Sequence, residues 1–174
     1  MNPQGLPDHV CSIVIHVPVE DVWSEITKTG SVQRPLYNTV LDIDLEPGGK
    51  LRYASPDGKR VFVAGEVLEV DAPRLLKHTY IFAMKPEPTT VVTWQLEEVP
   101  EGTKVTLTHA GWTDEHTAPE KHEAGWMEIL GLLKSELESG DIPTKTKVMY
   151  WMQGLFMFAL PKTTKAQYAD EQGW

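Results

Sequence analysis

Between Thr39 and Ala110 apolar and polar residues alternate with a period of two, and five clusters of turn residues break the alternation. These are Glu46-Pro47-Gly48-Gly49, Ser55-Pro56-Asp57-Gly58, Asp71-Ala72-Pro73, Lys85-Pro86-Glu87-Pro88 and Pro100-Glu101-Gly102. A period of two puts successive side chains on opposite faces of a strand, and proline and glycine at these spacings set tight reversals. The segment is therefore predicted to be an antiparallel meander of short strands. Val10 to Val17 carries the same β-branched alternation and adds one more strand, ended by Pro18.

Two stretches have the helical period instead. Val19, Val22, Trp23 and Ile26 recur at i, i+3, i+4 and i+7, which predicts a short helix stopping at Gly30. A second short helix or turn is expected around Ser31 to Tyr37. After the meander, Thr117-Ala118-Pro119-Glu120 reads as a capping box with proline in the first turn. A helix of about 22 residues, some 33 Å long, should start there. Its stripe is Trp126, Leu130, Leu133 and Leu137, widened by Met127 and Ile129, and Gly140 followed by Pro143 should stop it.

Composition excludes several functions. The formal charge is −9 over 174 residues, with no basic block, which argues against a nucleic-acid partner. The single cysteine, Cys11, builds neither an internal disulfide nor a cysteine-based zinc site and reads as a small buried hydrophobe. Met1 to His9 lacks the charge progression of a signal peptide, so a cytoplasmic location is the expectation. There is no HExxH pair and no phosphate-binding GxxxxGK loop. His116 and His122 stand six apart across a helix start, a spacing that predicts different faces and no metal site. Glu97 and Glu98 point oppositely on a strand, and Asp42 and Asp44 share a solvated face. No cofactor, metal or catalytic residue is assigned.

Several local motifs occur in a fixed order: Pro18-Val19-Glu20-Asp21-Val22-Trp23, Glu46-Pro47-Gly48-Gly49-Lys50-Leu51-Arg52-Tyr53, Gly65-Glu66-Val67-Leu68-Glu69-Val70, Gly102 to His109, and Gly125-Trp126. Together with the element order they resemble the helix-grip superfamily of START domains and the birch-pollen allergen. Within it, residues 10 to 140 or so are similar to the branch of the activator of the heat-shock protein 90 ATPase. The resemblance implies an α+β fold in which a curved antiparallel sheet of six to seven strands wraps around the long helix. It also implies a deep pocket between the two. Residues 1–143 would form this domain, and 144–174 a helical extension.

Strand parity names the lining. With Leu51 and Tyr53 inward, alternation turns Leu76, His78, Tyr80 and Phe82 inward, then Val92, Trp94 and Leu96, then Val105, Leu107 and His109. Trp126, Met127 and Leu130 would close the space from the helix. Tyr53, His78, Tyr80, Trp94, Leu107, His109, Trp126, Met127 and Leu130 are the candidate ligand contacts. Aromatic and aliphatic walls with a few polar anchors suit a small apolar or aromatic ligand, yet the same residues would equally fill an ordinary core.

From Val148 to Leu160 the extension is apolar almost all round and is stopped by Pro161. Thirteen residues are too few to span a bilayer, which takes about 20. Such a segment is expected to pack on protein, either as a lid over the pocket or against a second chain in a homodimer, with Val148, Trp151, Leu155, Phe156 and Phe158 as the contacts. A membrane surface is the less favoured alternative, because the lysines lie only at its flanks. Three functions stay open: binding of a small apolar ligand, a co-chaperone-like interaction module, and a cyclase- or hydrolase-type enzyme using His78, His109 and Tyr80. The first is preferred, since 174 residues are expected to leave no room for the N-terminal part that eukaryotic activators carry.

Overall fold

The computed structural model describes residues 5–117 and 119–174. One antiparallel sheet of eight strands dominates it: β1 (His9–Ile15), β2 (Val32–Gln33), β3 (Thr39–Ile43), β4 (Lys50–Ala54), β5 (Val61–Asp71), β6 (Leu75–Phe82), β7 (Thr90–Val99) and β8 (Gly102–Ala110). The spatial order is β1-β8-β7-β6-β5-β4-β3-β2, so β2 to β8 run as one meander and β1 adds to its far edge. The count exceeds the expected six to seven because Val32 and Gln33 pair with Val40 and Thr39 before a turn takes the chain to β3. Two residues show no period, which is why 31–37 reads from sequence as a turn or short helix.

Register shifts at Tyr53/Ala54 against β5 and at Val67/Glu69 against β6 curl the sheet, as extra residues on one strand do. Gly65 is required beside the second shift: a Cβ there would collide with the Thr79 carbonyl oxygen. The helix α1 (Val19–Thr27) buries Val19, Val22 and Ile26 of the stripe read from its period, and Trp23 packs against the core partly buried.

The long helix α2 (Glu120–Ser139) lies across the concave face, about 30 Å in length. Trp126, Ile129, Leu130 and Leu133 join Leu41, Leu51, Leu76, Trp94, Leu96, Val105 and Leu107 in one core. Met127 departs from the expectation: it is half exposed, because the register of α2 that seats Trp126 and Leu130 turns it outward. The capping box is not formed either. Among the described residues no side chain caps α2, and the Thr117 amide donates to Glu87 Oε1 (3.1 Å) in place of the Glu120 carboxylate. Ala118, within that motif, lies outside the described residues.

The C-terminus of α2 ends as expected at Gly140, whose φ of 72° is left-handed and whose amide donates to Glu136. Arg34 completes this end with bonds to Glu136 (2.8 Å), Asp141 (3.0 Å) and the Gly140 carbonyl (3.0 Å), a cation where the helix dipole is negative.

Beyond it come α3 (Thr144–Leu155), single 3-10 turns at Met157–Ala159 and Lys162–Thr164, and α4 (Ala166–Glu171). The helix stops at Leu155, five residues short of the expected Leu160. Ala169 of α4 packs on Val61 and Ala64 of β5, and Arg52 holds the last residue through bonds from its Nε and Nη2 to the Trp174 carbonyl.

Candidate functional site

The residues named from strand parity converge. Tyr53, His78, Trp94, Leu107, His109, Trp126 and Leu130 are all buried, and Tyr80 is half-buried. They divide into an apolar part around Trp94 and Leu130 and a polar aromatic end around His109. Trp94 and Trp126 meet edge to face at 5.9 Å.

At the polar end a hydrogen-bond chain fixes the imidazole of His109. Trp126 Nε1 donates to His109 Nδ1 (2.9 Å), so that nitrogen is unprotonated and Nε2 carries the hydrogen. Nε2–H then donates to Thr90 Oγ1 (2.7 Å), and Thr90 donates onward to the Tyr80 carbonyl (3.3 Å). Trp112 adds an indole bond to the His109 carbonyl (2.8 Å). Burial, reinforced by nearby histidines, pushes the pKa of His109 down to about 2. Both ring nitrogens are engaged within the protein, so neither is offered to a substrate for proton transfer.

His78 sits differently. Its Nδ1 donates to the neighbouring Thr79 carbonyl (2.7 Å), which leaves Nε2 as a lone-pair acceptor. That atom is buried and has no hydrogen-bond partner among the described residues, and burial lowers the His78 pKa to about 4. Gly65 gives the Thr79 carbonyl the space to take this bond, and Thr79 Oγ1 accepts from the Glu66 amide (2.8 Å).

Burial drives the phenols of Tyr53 and Tyr80 far above the ordinary tyrosine value, and no hydrogen bond contributes to either shift. Tyr37 and Tyr53 lie near enough to add to the shift of Tyr80. Tyr37 reaches this side from a turn in which it and Asn38 are both left-handed (φ 54° and 59°), and its hydroxyl bonds Glu128 of α2 at 3.4 Å.

The space between sheet and helix is filled by these side chains. At its polar end a crevice of about 10 Å³, the room of about one water, is lined by Tyr80, Phe82, Glu87, Pro88, Thr90, Trp112, His116 and His122. His116 and His122 therefore border the same crevice, correcting the expectation of different faces. His116 precedes the helix, and the loop turns it back, with Nε2 against the Pro88 carbonyl at 2.9 Å. Among the described residues no group of three or more His, Cys, Asp or Glu is placed to hold a metal ion.

Sequence reading missed Thr90, Trp112, Tyr37 and Gly65. Thr90 is the one that parity would have found, since it continues the inward row of Val92 and Trp94.

The extension does not cover the crevice. In α3, Thr146 and Tyr150 are buried; Tyr150 packs with Leu132 and Ile142 and donates to the Arg34 carbonyl (3.0 Å), and none of these borders the crevice. Val148, Trp151, Leu155, Phe156 and Phe158 are all exposed.

A curled antiparallel sheet gripping a long helix, with a buried interior of aromatics and a few polar groups, defines a helix-grip domain. More narrowly, the chain belongs to the family described as Activator of Hsp90 ATPase homolog 1-like protein, which matches residues 16–138. Solved structures share the fold. Protein MLL2253 from Mesorhizobium loti is 23% identical, with 78% of this chain and 100% of that chain covered at a TM-score of 0.64. CalU16 from Micromonospora echinospora is 22% identical, with 88% and 87% covered at 0.62. PFC0360w from Plasmodium falciparum, described as an HSP90 activator, is 24% identical, with 78% and 97% covered at 0.61. No curated protein sequence matches the chain. Among the described residues no helix is long and apolar enough to cross a membrane.

Proposed function

We propose that this chain binds a small apolar or aromatic molecule between the sheet and α2, anchored by a hydrogen-bond donor of that molecule on His78 Nε2. The observation that carries the reading is the buried Nε2 of His78, which has no hydrogen-bond partner among the described residues. An unsatisfied buried acceptor costs about 1–3 kcal/mol, and a guest hydroxyl or N–H group relieves that cost. Tyr53 and Tyr80, whose phenols burial keeps neutral, offer further hydroxyls on the same side. Since the interior is filled, the guest enters by displacing ring contacts, chiefly those of Tyr80 and Trp126.

Native mass spectrometry of the protein purified from its own cells, with extraction of anything released, tests this directly. A co-purifying molecule that is lost in His78→Leu supports the reading. A clean apo mass, with no thermal shift against a panel of phenols and other hydroxylated aromatics, defeats it.

The filled interior favours one second reading, an interaction module acting on a chaperone ATPase through its surface. Stoichiometric stimulation of a purified heat-shock protein 90 ATPase is its signature, and a carrier leaves that rate unchanged.

A further inference from the structure

The helix α3 is built inside out. Thr146 and Tyr150 face the body of the protein, while Val148, Trp151, Met152 and Leu155 recur at i, i+3, i+4 and i+7 on the opposite face, all exposed. Phe156 and Phe158 continue the patch past the helix end, and Phe158 is 79% exposed. A stripe at this spacing is the seam by which one helix packs on another. Among the described residues nothing covers it.

We propose that the occupant is a second copy of this chain, joined about a two-fold axis through α3. Three observations single it out. The six side chains expose roughly 700 Å² together, above the few hundred Å² usual for a patch on a monomer. Two such faces, wholly covered, would bury roughly 1,400 Å², within the range of a stable protein–protein interface. The run from Val148 to Pro161 contains no charged residue, so the patch meets its own image without burying an unpaired charge. Its lysines stand outside that run, at 145, 147, 162 and 165, and Lys147 is already paired with Asp141 at 2.6 Å.

A lipid surface fits less well. A helix lying on a membrane needs a polar, basic face turned to water, and the opposite face of α3 is against the protein itself. An aromatic, uncharged face is what an isologous helix pair requires.

Sedimentation equilibrium of the full chain across a concentration series reads the result. The expected mass is twice 19.6 kDa, with Trp151→Glu and Leu155→Lys each weakening self-association at least a hundredfold while circular dichroism stays unchanged. Phe158→Ser, beyond the helix, serves as a third variant that leaves α3 itself intact and weakens association about tenfold. A wild-type chain that is monomeric throughout the series overturns the proposal. So does a dimer that survives both helix substitutions, or a monomer that floats with vesicles of anionic phospholipid.

Discussion

The helices α2 and α3 follow one another in the chain, and both are rich in apolar side chains, yet they present opposite faces to water. Leu130 and Leu133 of α2 are fully buried on the concave sheet, with the charges of Lys121, Glu123 and Glu128 outward. In α3 the aromatic and aliphatic side chains are outward. The difference teaches that apolar content alone does not decide burial. The curled sheet offers one concave face, and α2 has the length and stripe to fill it. A second apolar helix then finds the outer side of α2, where Leu132 makes a small satellite cluster with Ile142 and Tyr150.

The largest effect that sharpens this contrast comes from truncating α2. Leu130→Ala removes a fully buried side chain between Leu-rich strands and the helix. It is expected to cost about 2–5 kcal/mol, as buried leucine truncations do, measured by urea unfolding at neutral pH.

Acid should act on the same interior and leave α3 untouched. His78 and His109 have folded pKa values of about 4 and about 2, below the ordinary histidine value. Below about pH 6.5 the unfolded chain takes up their protons while the folded chain does not. Stability is therefore fully present well above that pH and falls as pH drops, by about 3 kcal/mol for the pair between pH 6.5 and 5. His78→Leu should remove about half of that slope. An unfolding free energy that is flat over this window in the wild type would show that the two imidazoles are not held neutral by burial.

Much of this interior was legible from alternation. Tyr53, His78, Trp94, Leu107 and His109 were placed on one face because strand parity is strict once a single residue is oriented. Trp126 and Leu130 followed from the helical stripe, whereas Met127 was misplaced because adjacent helical positions differ by about 100°. The bonding of His109 was beyond reach, since Thr90, Trp112 and Trp126 come to it from β7, the loop after β8 and α2. The capping box failed for a similar reason: Glu87, from the loop thirty residues earlier, takes the Thr117 amide. Local patterns name faces, and tertiary partners decide bonds.

Trp126→Phe isolates one such partner. The ring packing on Trp94 is largely kept, but His109 Nδ1 loses its donor. A loss of about 1–3 kcal/mol is expected, the cost of a buried acceptor left unpaired. Gly131→Ala runs in the other direction. Gly131 lies exposed in the middle of α2 with nothing within 4 Å of an added Cβ, so the substitution should stabilise by up to about 1 kcal/mol, seen as a raised Tm.

The smallest effect is the sharpest test of the contrast. Leu155→Ala repeats the chemistry of Leu130→Ala on the exposed face of α3, where the leucine is 55% accessible. Measured in dilute solution, where no second copy competes for the face, it should change the unfolding free energy by no more than about 0.5 kcal/mol, as exposed substitutions do. The double variant should then lose only what Leu130→Ala loses, since separated sites add. A loss of about 2 kcal/mol or more in Leu155→Ala alone would mean that this leucine is buried within its own chain. In that case α3 folds onto the domain as a lid, and the apolar face is a closed part of one molecule rather than a surface for another.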